Sequence, residues 1–142
     1  MSQHYLHPLF NPRSVAVFGV SEKEDSVAGT LFRNMRKSGF TGAVYPVNPK
    51  HDVIYGERCY GYASELPEPP ELALIATPAP TVAQVLEDCG SRGIRHAIVL
   101  SAGFREVGAK GVALEESIMA VARKHDIRFI GPNCLGIQRP SI

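Results

Sequence analysis

The chain has 142 residues, 44% hydrophobic and 20% charged, with a formal net charge of +1. That size suits one domain with a buried core, and the near-neutral balance excludes a basic field for nucleic acid or an anionic membrane. Residues 1–8, which include His4, Tyr5, His7 and Pro8, have no basic start followed by an apolar stretch, and no apolar run approaches the ~20 residues of a membrane span; this excludes a signal peptide and a spanning helix.

Short apolar runs rich in β-formers then recur along the chain. Residues 14–19 (SVAVFG) read as a first strand, 43–47 (AVYPV) as a second and 72–76 (LALIA) as a third. Residues 96–100 (HAIVL) read as a fourth and 127–130 as a short fifth. Continuous apolar runs of this kind suit parallel strands covered on both faces. Between the first two strands, Val27, Leu31 and Met35 lie four apart, and Gly39 follows as a stop. Val82, Val85, Leu86 and Cys89 form a second helical stripe that ends near Gly90 and Gly93. Leu114, Ile118, Val121 and Ala122 form a third, closed by the basic Arg123, Lys124 and His125. Residues 48–71 hold Gly56, Gly61, Pro67, Pro69 and Pro70, and read as an irregular crossover with one helical turn around 63–66.

This string predicts an α/β, Rossmann-like parallel sheet of about five strands in the order 3-2-1-4-5, with helices on both faces. Ligands of such sheets bind beyond the strand C-termini, where the order reverses. Attention therefore falls on the loops after the first, second and fourth strands, with the loop after the third close by. Gly19 lets backbone approach a ligand, and Ser26 can cap the next helix, whose free N–H groups favour phosphate. Gly19 and Gly29 are too far apart for the GxGxxG fingerprint, so an ordinary capped turn explains this loop equally well. At the end of the second strand, where NAD-binding domains place a carboxylate, stand Asn48, Pro49, Lys50 and His51. A lysine there favours a phosphate-bearing ribose, either the 3′-phosphate of coenzyme A or the 2′-phosphate of NADP; a lone surface lysine is the plain alternative. Thr77-Pro78-Ala79-Pro80 precedes a helix, and Ser101-Ala102-Gly103-Phe104 offers small side chains above the sheet; both also have structural readings.

No catalytic set assembles. GxSxG is absent, the five histidines are scattered, and Glu106 reads as a solvated charge. Cys59, Cys89 and Cys134 form neither a CxxC pair nor a zinc pattern, and read as reduced thiols of a cytoplasmic protein.

Four segments carry a resemblance. They are residues 9–21 (LFNPRSVAVFGVS), 45–50 (YPVNPK), 101–106 (SAGFRE) and 131–136 (GPNCLG). Together they resemble the N-terminal CoA-binding domain of NDP-forming acyl-CoA synthetases, relatives of the succinyl-CoA synthetase alpha subunit. The resemblance implies coenzyme A or acyl-CoA as ligand, with Gly19, Val20 and Ser21 at its phosphates and Lys50 as a CoA contact. It also implies that Leu100, Ser101 and Ala102 line the nucleotide, beside a wall of Thr77, Pro78 and Ala79. Val20 departs from the alanine that many relatives carry.

In that family the phosphorylated histidine and the nucleotide-grasp module lie in later domains, and none of the five histidines here matches the former. The resemblance thus implies a fragment: an arm over residues 1–13, a core over 14–136 and the start of a linker over 137–142. Such a piece would bind CoA without turnover, and its partners would be downstream ligase and nucleotide-grasp domains of the same or another chain, with neither nucleic acid nor membrane. The parent would be an ADP-forming acid–CoA ligase or a synthetase-like protein fused to a GNAT acetyltransferase. An NADP-dependent oxidoreductase domain is the competing reading, because fold alone does not decide function. A regulatory nucleotide-binding module is a third, disfavoured by the lack of a DNA-binding helix pair or basic patch.

Overall fold

A computed structural model describes residues 7–132. Its centre is a five-stranded, fully parallel sheet. The strands are β1 (Ser14–Phe18), β2 (Ala43–Val47), β5 (Leu72–Ile75), β6 (His96–Val99) and β7 (Arg128–Ile130), in the order β2-β1-β5-β6-β7. Alternate strand residues feed two separate cores, as a period of two requires. Ala16, Phe18, Ala73, Ile75, Ala97 and Val99 face one side, and Val15, Val17, Leu72, Leu74 and Ile98 the other. This double burial explains why the strands read as unbroken apolar runs.

The order corrects the expectation. Counted along the chain, the five long strands lie 2-1-3-4-5 and not 3-2-1-4-5, so the third strand crosses to the far side of the first. Pro46 supplies a physical reason. The Val47 carbonyl accepts from Gly19 N–H on the β1 side, whereas the Pro46 carbonyl accepts from Tyr60 N–H on the outer side. The Pro46 ring nitrogen, alternating with Val47, therefore points outward. An interior strand would need a donor there that proline lacks, so β2 belongs at the edge. Tyr60 blunts that edge further, accepting from Asn48 N–H at 2.8 Å.

The crossover after β2 holds more structure than its composition suggests. A two-stranded hairpin, β3 (Val53–Ile54) and β4 (Glu57–Arg58), turns through Tyr55 and Gly56, both at positive φ. Ile54 plugs the core beneath it. The expected helical turn appears as a 3-10 turn at Ala63–Glu65.

A four-residue helical turn, α1 (His7–Phe10), precedes β1. The three expected helices are α2 (Val27–Lys37), α3 (Ala79–Arg92) and α4 (Ala109–His125). Ala28 and Phe32 of α2 cover one face of the sheet, while Val82, Leu86 and Cys89 of α3 and Ile118 and Ala122 of α4 cover the other. Gly93 ends α3 at φ 93°, as a left-handed cap should. Gly90 has a different role from the expected stop. It lies inside α3, and a Cβ there would sit 2.2 Å from the His125 ring, so its bare backbone lets α3 and α4 close together.

Candidate functional site

The order reverses at β1, whose neighbours in the sheet, β2 and β5, flank it on opposite sides, and a cleft of about 860 Å³ opens at the C-terminal ends of these strands. Its first wall is the loop from β1 to α2. Gly19 has φ +95°, and a Cβ would meet the Ala76 carbonyl at 3.0 Å, so this turn selects glycine twice over. Ser21 Oγ accepts from Lys23 N–H at 3.1 Å, folding the loop on itself. Ser26 caps α2, its Oγ accepting from Gly29 N–H at 2.9 Å. Gly29 is needed for packing: a Cβ would lie 2.1 Å from the Ser21 carbonyl. The first turn of α2 is thereby pressed against the loop that leads into it.

The second wall follows β2. Asn48 Nδ2 donates to the Val20 carbonyl at 2.9 Å, and its Oδ1 accepts from Lys50 N–H at 2.9 Å. One amide thus ties the two loops together and turns the chain so that Lys50 lines the cleft. From below, the Cys59 thiol donates to the Asn48 carbonyl at 3.6 Å, and burial pushes that thiol up from its ordinary value. Lys23, Lys50 and His51 bring basic side chains to this end, with Asp25 among them.

The third wall is α3 with the segment after Tyr60. Pro78, Pro80 and Val85 stand with Tyr62 and Ala63 as an apolar surface, and Gln84 and Asp88 add polar groups along the helix. Gly61, which also lines the cleft, lies against the Glu65 carboxylate that accepts from Tyr62 N–H.

Of the residues expected at the site, Gly19, Ser21, Lys50, Thr77 and Pro78 line the cleft. Val20 and Ala79 are buried beneath it as packing groups. Leu100, Ser101 and Ala102 stand at the end of β6 and do not line it. Ser101 Oγ instead donates to the Thr77 carbonyl at 2.5 Å, holding the floor of the cleft in place. The Thr77 hydroxyl is enclosed without a hydrogen-bond partner. The α3 residues Thr81, Gln84 and Asp88 also line the cleft, and the apolar stripe of that helix carries no signal for them; Val85, which belongs to the stripe, lines the cleft as well. Tyr62 lines it too, and nothing in the local sequence shows that the crossover folds back over the cleft.

Glu106 also departs from its expected role as a merely solvated charge. Although exposed, its carboxylate accepts from Gly103 N–H and from Phe104 N–H, and these bonds, Gly103 first, hold its pKa below the usual value. It closes the loop after β6. Among the described residues no group of His, Cys, Asp or Glu could hold a metal, and no helix is long and apolar enough to cross a membrane. Cys134 and the rest of residues 133–142 lie outside the described residues, as do 1–6.

Comparison with known proteins gives the chain a family context. A family model described as a CoA binding domain matches residues 13–140. The ADP-forming acetate–CoA ligase I of Archaeoglobus fulgidus is 43% identical over 129 residues, covering 91% of this chain and 18% of the ligase. The alpha subunit of the ADP-forming acetate–CoA ligase I of Pyrococcus furiosus is 39% identical over 136 residues, covering 93% of this chain and 29% of the subunit. Among solved structures, the apo form of acetyl-coenzyme A synthetase 1 from Ca. Korarchaeum cryptofilum superposes with a TM-score of 0.86 at 38% identity. That match covers 92% of this chain and 28% of the synthetase. The chain spans less than a third of the length of each of these relatives.

Proposed function

This chain belongs to the CoA-binding domain family, homologous to the N-terminal domain of ADP-forming acyl-CoA synthetases, and we propose that the cleft beyond β1, β2 and β5 is its coenzyme A site. The observation that carries this is the arrangement at the switch point. There a bare-backbone turn at Gly19, the capped start of α2 and Lys50 surround one opening. Free N–H groups in the first turn of α2 suit the pyrophosphate. Lys50 suits the 3′-phosphate, and Lys23 and His51 border the same end. Asn48 occupies the place where a dinucleotide site would put a carboxylate, and its amide is committed to joining two loops.

The remaining expected contacts take supporting parts in this reading. Val20 and Ala79 set the floor by packing, and Ser101 steadies the Thr77 carbonyl. Leu100 and Ala102 follow β6, outside the lining of the cleft, and in this reading serve as contacts for the part of the coenzyme that extends beyond it. The chain holds the coenzyme for chemistry done elsewhere, working in the cytoplasm with ligase and nucleotide-grasp domains of the same or a partner chain. Its relatives' names contain an acid–CoA ligase activity, so acid–CoA ligation is the proposed reaction of the whole.

Calorimetric titration with CoA, followed by competition with NADP, tests the ligand site. Saturable heat with CoA, unaffected by NADP, is expected. No heat at roughly millimolar CoA, a binding free energy weaker than about −4 kcal/mol, would overturn the proposal.

A further inference from the structure

We propose that the α3 wall reads the base of the coenzyme: Gln84 and Asp88 select adenine over 6-oxopurines. This rests on the cleft being the CoA site. The two residues are one helical turn apart, share a face of α3 and both line the cleft. Gln84 Nε2 donates to Asp88 Oδ1 at 3.1 Å. A carboxylate can only accept, so this bond fixes the amide with its NH2 group toward Asp88. The second N–H of Gln84 and the spare lone pairs of Asp88 then present a donor beside an acceptor.

Adenine carries the complementary pattern. Its 6-amino group donates, and the adjoining ring nitrogen, N1 or N7, accepts. In hypoxanthine and guanine a carbonyl replaces the 6-amino group, and it would confront the Asp88 carboxylate lone pair to lone pair. The pair therefore attracts one base and repels the other, the combination that discrimination requires. The neighbouring surface suits a flat apolar ring. Tyr62 leaves 53% of its surface exposed, and Pro80 and Val85 line the same cleft. The charge distribution agrees: at the β2 end Lys23 and Lys50 outnumber Asp25, whereas Asp88 is the charged residue that α3 brings to the cleft, so phosphates are drawn to the former end and kept from the latter.

The test is calorimetry on the 142-residue chain with CoA and with its deaminated, hypoxanthine-containing analogue. The unsubstituted chain should prefer CoA by about tenfold, the scale of one hydrogen bond lost at a solvent-accessible edge. Asp88→Asn can donate to a 6-carbonyl, so it should bring the two ligands to within about twofold while its melting temperature stays unchanged. Equal affinities in the unsubstituted chain, or an unchanged preference in Asp88→Asn, would overturn base reading and leave the CoA site standing. Binding of neither ligand by the unsubstituted chain would instead remove the CoA site and this inference with it.

Discussion

Lys50 is an exposed ammonium whose backbone, and not its side chain, is fixed by Asn48. Its contribution should be that of a surface charge meeting a phosphate, about 1 kcal/mol, and should fade with salt. Lys50→Ala is expected to weaken CoA about fivefold at low ionic strength and to leave dephospho-CoA nearly unchanged. Equal losses for both ligands in titration would remove Lys50 from the 3′-phosphate. Glu106 makes a different prediction, one of pH. Backbone N–H groups, Gly103 first, lower its pKa in the folded chain from the usual 4.5. Its stabilising effect is therefore complete above that value and is lost as pH falls through the lower folded value. Melting curves of the unsubstituted chain and Glu106→Gln should differ most near neutral pH and converge as pH falls below 4.5. A gap independent of pH would mean that the carboxylate's charge is not what closes the loop after β6.

At the level of elements, the seam between α3 and α4 depends on an atom that is missing. A Cβ on Gly90 would lie 2.2 Å from the His125 ring, well inside contact distance. Glycine inside a helix costs roughly 1 kcal/mol relative to alanine, so its presence marks a packing constraint stronger than propensity. Gly90→Ala should destabilise by a net of about 1–2 kcal/mol, the overpacking cost less the helix gain. Shrinking the partner should reverse the sign of that penalty. In a His125→Ala background, Gly90→Ala should be neutral or stabilising, and urea unfolding of all four chains closes the cycle. Additive effects would show that His125 moves aside without cost. The same logic explains Gly29, which a glycine-motif search passes over: its task is to seat α2 on the Ser21 carbonyl.

For the whole molecule, the cleft joins three strand ends with α2, α3 and the folded-back crossover, so a ligand there links elements from residue 18 to residue 88. CoA bound only by the folded chain should stabilise it globally, by about 2.7 kcal/mol when free CoA is a hundred times the dissociation constant. Urea unfolding with and without CoA measures this, and the slope of the transition should not change. A shift confined to local probes near α2, with the global midpoint unmoved, would argue that the ligand orders one loop only.

The amino-acid sequence by itself determined the parallel sheet, the three helices and their buried stripes, because each depends on local periodicity that a short window contains. It also pointed to the strand-end loops from which Gly19, Ser21 and Lys50 line the cleft, since strand ends and glycine turns are local signals. Pro46 even held the information for the edge position of β2, although its weight shows only when the direction of its missing donor is known. Tertiary structure alone decided the order 2-1-3-4-5, the hairpin at β3 and β4, and the α3 wall of the cleft. Tyr62 and Asp88 stand 26 residues apart, and a polar position on the outer face of a helix has no periodic signature. Only packing of α3 against the sheet, with the crossover folded beside it, brings Gln84 and Asp88 to the same opening as Gly19 and Lys50. That juxtaposition depends on contacts between distant segments, which no local pattern encodes.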